Sequence, residues 1–358
     1  MKIYKLSEIT TAIFSGGTPS SANSYYWNGP FNWLSSGETR NQFIHQTERT
    51  ITQAGIDNSS TRLAKTNDVV IASAGQGHTR SQASFLCVDT YINQSLIAIR
   101  AKREFVLPKY LFYLLSIKYE KLRSISDSAS TRGSITTKLL GDLKFAIESL
   151  NKQQYIVDTI GSVDSLIELN QEKISKIKSL ATQKYELLYK AYPKSAIGKR
   201  LKFIKGKQPK FVSKEDGLPY LVIDDLASNI YTQFSSEGLA CDENDVLMVM
   251  DGASSGKVFT GNKGYVGSTL AKLSSSQIKS SILYFGLSKF EEEIMKNTTG
   301  SAIPHTDKSF VCELQIIDDL DGKTTDFFDF CLNQICNLRT QNSLLNIQKE
   351  ILLQKYFH

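Results

Sequence analysis

The residues of this chain that could carry chemistry are few, and each fails a test of spacing. Gly252-Ala253-Ser254-Ser255-Gly256-Lys257-Val258 follows an apolar, strand-like run, as a phosphate-binding loop would. Its glycines enclose one residue too few, and Val258 stands where a magnesium-binding hydroxyl belongs. Asn28-Gly29-Pro30-Phe31 lacks the first proline of the Asn-Pro-Pro-Phe loop of amino-methyltransferases, and no glycine-rich cofactor loop accompanies it. It reads as a turn. His45, His78, His305 and His358 show no His-x-x-x-His spacing, and Cys87, Cys241, Cys312, Cys331 and Cys336 contain no Cys-x-x-Cys pair. No catalytic residue and no metal ligand is therefore expected, and the cysteines read as small buried hydrophobes in a reducing compartment.

What remains is a set of polar loops suited to a polyanion. Gln76-Gly77-His78-Thr79-Arg80-Ser81-Gln82 offers amides for adenine, a guanidinium for guanine and hydroxyls for phosphate. Ser128 to Ser134 is a second such loop, with Ser130 and Arg132 as candidates. Later in the chain, Ser255 and Lys257 occupy one loop, and Thr299 and His305 another. From Pro193 to Lys214 there are eight basic residues, Lys207 and Lys210 among them, and no acidic one. Such a stretch is an electrostatic footprint for an anionic polymer. Taken singly, each loop also reads as a surface turn and the basic stretch as a solvated linker; their recurrence argues for binding. Tyr25-Tyr26-Trp27 with Phe31 and Trp33 could stack on a base, but large aromatics in such a cluster read better as core.

The elements that position these loops come from a repeat. Gly16-Gly17-Thr18-Pro19 is answered by Gly206-Lys207-Gln208-Pro209, and Asn67-Asp68-Val69-Val70-Ile71 by Asn244-Asp245-Val246-Leu247-Met248. Gly133-Ser134-Ile135 reads as the partner of Gly300-Ser301-Ala302-Ile303. A long helical pattern follows each copy. The first has its seam at Ile156, Ile160, Val163, Ile167, Asn170, Ile174, Ile177, Ala181, Lys184, Leu188 and Ala191. The second has Phe328, Cys331, Ile335, Leu338, Asn342, Leu345, Lys349, Leu352 and Tyr356. Alternating steps of four and three predict a coiled coil, the two helices running roughly 60 and 50 Å and pairing antiparallel. Asn170 and Asn342 would set the register. The tails even share letters, Gln183-Lys184-x-x-Leu187-Leu188 against Gln348-Lys349-x-x-Leu352-Leu353.

The expected fold is α+β: two similar mixed α/β domains separated by two long antiparallel coiled-coil helices with pseudo-twofold repetition. The divisions are 1–150, a spacer helix 151–192, 193–323, and a second helix 324–358. Composition agrees with a packed protein, since 41% of the 358 residues are hydrophobic and 22% charged. Net charge is +6, with a pI near 8.8. Apolar runs stop at about five residues where a membrane span needs about 20. The start, with Lys2, Lys5 and Glu8, has no apolar leader. A cytoplasmic protein is expected.

In the order of these motifs the chain resembles the specificity subunits of type I restriction-modification systems. The resemblance covers nearly the whole chain. It rests on Gly17-Thr18-Pro19 with Trp27-x-Gly29 and Trp33, on Gly217-x-Pro219-Tyr220-Leu221, and on Asp251-Gly252, Gly256 and Gly264-x-x-Gly267. Gly300-Ser301-Ala302-Ile303-Pro304-His305 and the Gln153-Gln154-x-Ile156 entry to the first helix complete it. The second copy has no obvious counterpart of Trp27 and Trp33. The resemblance implies two target recognition domains reading the halves of a split double-stranded DNA site. It further implies two modification subunits, carrying S-adenosylmethionine and the adenine methyltransferase site, and restriction subunits that form an ATP-dependent nuclease. The chain itself would hold no cofactor. On the helices, Ile160, Ile167, Ile174, Leu188, Leu345 and Leu352 are the expected partner contacts. The residues alone leave two other readings open, a non-catalytic protein-binding scaffold and a degenerate orphan specificity protein.

Overall fold

The computed structural model describes residues 1–74, 79–129, 134–228, 231–300, 303–317 and 320–357. Two compact units divide the chain, Met1–Ser162 with Glu350–His358, and Val163–Lys349. Both divisions fall inside the long helices, Leu150–Ala191 and Gly322–Phe357, so each unit holds a mixed α/β head and segments of both helices.

In the first unit a five-stranded sheet runs Thr10–Ser15, Leu96–Ala101, Val69–Ala72, Ala83–Leu86, Phe43–Ile44. Val69–Ala72 is buried along its whole length, as a continuous apolar run demands. Its side chains alternate between two cores. Val69 and Ile71 pack with Tyr110 to Leu115 of the helix Pro108–Ile117, while Val70 and Ala72 pack with Leu34 and Ile92 of a second, four-stranded sheet.

The second unit repeats the plan. Its four-stranded sheet runs Lys202–Lys205, Leu270–Ser274, Val246–Val249, Val258–Phe259. Val246 and Met248 face the helix Ser280–Lys289; Leu247 and Val249 face Leu221 and Val266 of the neighbouring sheet. In that neighbouring sheet Tyr220 pairs with Tyr265 in a parallel ladder, as Trp33 pairs with Tyr91 in the first unit. Tyr220 is thus the structural counterpart of Trp33 that the sequence comparison does not reveal. The paired glycines have one cause: a Cβ on Gly16 would lie 1.9 Å from the Ile92 carbonyl oxygen, and one on Gly206 would lie 2.0 Å from that of Val266.

The hairpin-end register corrects one sequence equivalence. Ala74 bridges Ser134, and Asp251 bridges His305. In each case the next residue's N–H, Ile135 or Thr306, donates at 2.9 Å to the carbonyl of Ser73 or Met250. Ser134 therefore matches His305 rather than Ser301. The shared Gly-Ser letters misled because the second loop is longer.

The helices pair antiparallel within each unit. In the second, Asn170 Nδ2 donates to Asn342 Oδ1 at 2.9 Å, both side chains buried, and Lys349 forms a buried ion pair with Asp164. In the first, Tyr155 packs edge-on against Tyr356 and Lys118 reaches the carbonyl of Phe357. The first helix is anchored by the fully buried Gln153, which accepts from Leu107 N–H and donates to Phe105 and Glu148 carbonyls. Its expected seam fails at one end. Lys184 and Ala191 are exposed, and Tyr185 and Tyr192 turn inward. A straight helix drifts against a seven-residue repeat, and Tyr185 fills the gap with its hydroxyl on the Ile317 N–H. Lys184 and the buried Lys349 share letters but not surroundings.

Candidate nucleic-acid interface

The polar loops divide into those turned inward and those left at the surface. Gln76, His78, Ser130 and Arg132 lie outside the described residues. Thr79 begins a turn closed by Gln82 N–H on the Thr79 carbonyl and by Ser81 N–H on the Ala72 carbonyl, with Ser81 in the left-handed region at φ 72°. That turn directs Arg80 inward: its side chain is 8% exposed and pairs with Asp127 of the helix Tyr119–Ala129. Gln82 is half-buried, and its carbonyl oxygen is enclosed. Arg80 is thus a structural tie and not a free reader of a base edge, because the turn that presents the loop needs an interior anchor.

Ser255 is likewise structural. It is buried, and its hydroxyl donates to the carbonyls of Gly252 and Pro304 at 2.7 and 2.9 Å. The loop it closes is no phosphate cradle. The Asp251 carboxylate stands at its start, and the Val258 N–H donates to the Glu291 carboxylate at 2.9 Å. Lys257 is half-buried, and Thr299 is exposed on the hairpin Thr298–Thr299/His305–Thr306.

The basic stretch is no linker. It forms the strands Lys194–Ala196, Lys202–Lys205 and Phe211–Val212, with Lys199, Lys202, Lys207, Lys210 and Lys214 exposed. Lys205 spends its charge on Asp251 at 2.7 Å, and His305 Nδ1 meets the same carboxylate at 2.7 Å. Burial pushes the Asp251 carboxyl up, but hydrogen bonds and charge from Lys205 and His305 outweigh it and hold the group below the usual carboxylate range.

Trp27 and Trp33 are buried against each other, ring centroids 5.0 Å apart, with the Arg49 guanidinium 3.5 Å over Trp27. They are core, and of that cluster Tyr25 is the strongly exposed member. Among the described residues no group of three His, Cys, Asp or Glu side chains is placed to hold a metal. Burial raises the Cys241 thiol to about 12 and that of Cys336 to about 11, which keeps both protonated and inert.

The expected partner contacts are consumed within the chain. Ile160 lies in the first unit's core with Leu352 against it; Ile167 is buried, Ile174 and Leu188 pack on the second unit's core, and Leu345 is half-buried. The seam satisfies itself first because antiparallel pairing buries those positions. On the second unit's segments of the long helices, the large apolar side chains left outside include Leu166, Leu169, Leu180 and Leu187 on one and Phe330, Leu344 and Ile347 on the other. Leu166, Leu180 and Leu187 recur at multiples of seven, so they form a second stripe, outside the seam.

The type I restriction modification DNA specificity domain matches residues 1–179. The chain belongs to that family. It is 31% identical over 175 residues to the type I restriction enzyme MjaVIII specificity subunit of Methanocaldococcus jannaschii, covering 45% of this chain and 40% of that protein. It is 27% identical over 176 residues to the EcoR124I/EcoR124II specificity subunit of Escherichia coli, covering 48% and 43%. The matched stretch thus spans less than half of either relative. The fold is shared with the type I restriction-modification S subunit of M. genitalium, at a TM-score of 0.53 and 15% identity over 100% of this chain and 96% of that one. The chain accordingly has the two mixed α/β heads and long helices expected from its sequence. No helix among its described residues is long and apolar enough to cross a membrane.

Proposed function

We propose that this chain is the DNA-recognition subunit of a type I restriction-modification complex, each unit reading one half of a split double-stranded site. The single observation that carries the reading is one topology occurring twice with different side chains at matching loop positions, in a chain of the specificity family. Repeated frames with unlike loops suit two unlike half-sites. Affinity would come from surface lysines such as Lys207 and Lys210 on phosphates, and selectivity from loop side chains on base edges. The chain would perform no catalysis and hold no cofactor. Two modification subunits would bring S-adenosylmethionine and methylate adenine, restriction subunits would complete the nuclease, and the complex would work in the cytoplasm. The outer leucine stripe is the surface we assign to the modification subunits.

Titrating the purified chain with duplex DNA at rising salt tests the reading. Counterion release predicts that log affinity falls linearly with log salt, by about 0.9 per phosphate neutralised. Binding that ignores salt, or no binding with or without the modification subunits, would favour the protein-binding scaffold, for which the same apolar stripe also speaks.

A further inference from the structure

Three separate elements of the second unit converge on one carboxylate. Lys205 ends the edge strand Lys202–Lys205, Asp251 follows the central strand Val246–Val249, and His305 opens the second strand of the terminal hairpin. The backbone around the imidazole is pinned on both sides: Gly252 N–H donates to the Pro304 carbonyl and Thr306 N–H to that of Met250, each at 2.9 Å. The Asp251 carboxylate, ionised and acceptor-only, binds Lys205 Nζ through one oxygen and His305 Nδ1 through the other. Nδ1 must therefore carry the shared proton. This fixes the ring's tautomer, and the His305 side chain is still 50% exposed.

The matching place in the first unit is unlike it. Ser15 ends the corresponding edge strand, and Ala74 and Ser134 form the corresponding bridge. Where the first unit has Ser15, Ala74 and Ser134, the second has Lys205, Asp251 and His305. The frame is the same in both units, and the ionic group is an addition of the second.

We propose that His305 is a base-reading residue of the second unit, held by Asp251 and Lys205 as positioning residues so that Nε2 of the neutral ring presents an acceptor. This rests on the DNA-recognition reading. An acceptor matches the exocyclic amino group of adenine or cytosine in the major groove. It does not match guanine N7 and O6 or a phosphate, which are acceptors themselves. With the ring neutral, Lys205 and Asp251 cancel and the trio adds no net charge, so its contribution is selectivity and not general affinity.

The test uses the full chain with its modification subunits at pH 8, above the ordinary imidazole range, and selection from random duplex DNA. The expected result is a split motif whose second half requires adenine or cytosine at one position. Replacing that base by its analogue without the amino group should weaken wild-type binding about tenfold or more, a readout that needs no variant to fold. His305→Ala and Asp251→Asn should bind the natural site as weakly as wild type binds the analogue, and should lose nothing further on the analogue. Asp251→Glu should recover part of the discrimination. A split motif whose second half is indifferent to the amino group and to both variants would overturn the assignment while leaving DNA recognition in place. Selection of no motif would overturn both.

Discussion

Arg80 shows what a loop sequence conceals. Surrounded by Gln, His, Thr and Ser, it has the composition of a base reader, yet its guanidinium is spent on Asp127, 47 residues onward. Nothing local signals that pairing; the direction of the side chain is set by the left-handed turn at Ser81 and by where the next helix falls. Arg80→Ala should consequently lower stability by about 1–3 kcal/mol through a lost charge-assisted hydrogen bond in a largely enclosed site. Urea unfolding would show it as a lower midpoint, and a variant as stable as wild type would return Arg80 to the candidate readers. Ser255 carries the same lesson, since a serine between glycines in a loop became a buried plug. By contrast, the burial of Cys241, Cys331 and Cys336 and of Trp27 and Trp33 was legible, because their types alone favour the interior, although Cys87 and Cys312 are only half-buried.

At the scale of elements, the long helices were readable because an apolar step of three and four survives any tertiary context. Their exceptions were not. Lys349 looks like a flaw in its seam until Asp164, 185 residues earlier, is placed opposite. Lys184 sits on a paper seam that the real helix leaves by drifting toward Tyr185. The Asp164–Lys349 pair should behave as a buried ion pair: Asp164→Ala strands the lysine and should cost about 3–5 kcal/mol, whereas Asp164→Leu with Lys349→Met should be neutral or stabilising. Asn170→Leu with Asn342→Leu should likewise raise the urea midpoint while loosening register, and Asn170→Leu alone should lower it by about 1–3 kcal/mol. A double change that costs the sum of its two single changes would show that these pairs are not coupled. The heads were half legible. The Asn-Asp-apolar strands and their order could be read, but the equivalence of Ser134 with His305 needed the ladder register.

For the whole molecule, the proposed function gives two kinds of surface separate duties. The heads differ at matching loops, and the helices carry apolar side chains that their own pairing leaves outside, such as Leu187 at 67% and Leu344 at 63% exposed. Exposed apolar side chains recurring along one helix face suit the docking surface proposed for the modification subunits. Leu180→Glu with Leu187→Glu should leave the chain's unfolding midpoint within about 0.5 kcal/mol, as surface changes do, and should abolish co-purification with the modification subunits. Retention of the complex would place docking elsewhere. The sequence singled out the seam for this duty because the strongest periodicity marks what a chain buries for itself. The weaker outer stripe becomes visible only once the seam is filled.

Whether each head reads one half-site can be read from a map of methylated adenines across the genome of cells carrying this chain and its modification subunits. The same map would then be made after residues 1–150 are exchanged for those of another family member. One half of the split motif should change while the other persists. A motif in which both halves change together, or methylation with no split motif, would contradict it.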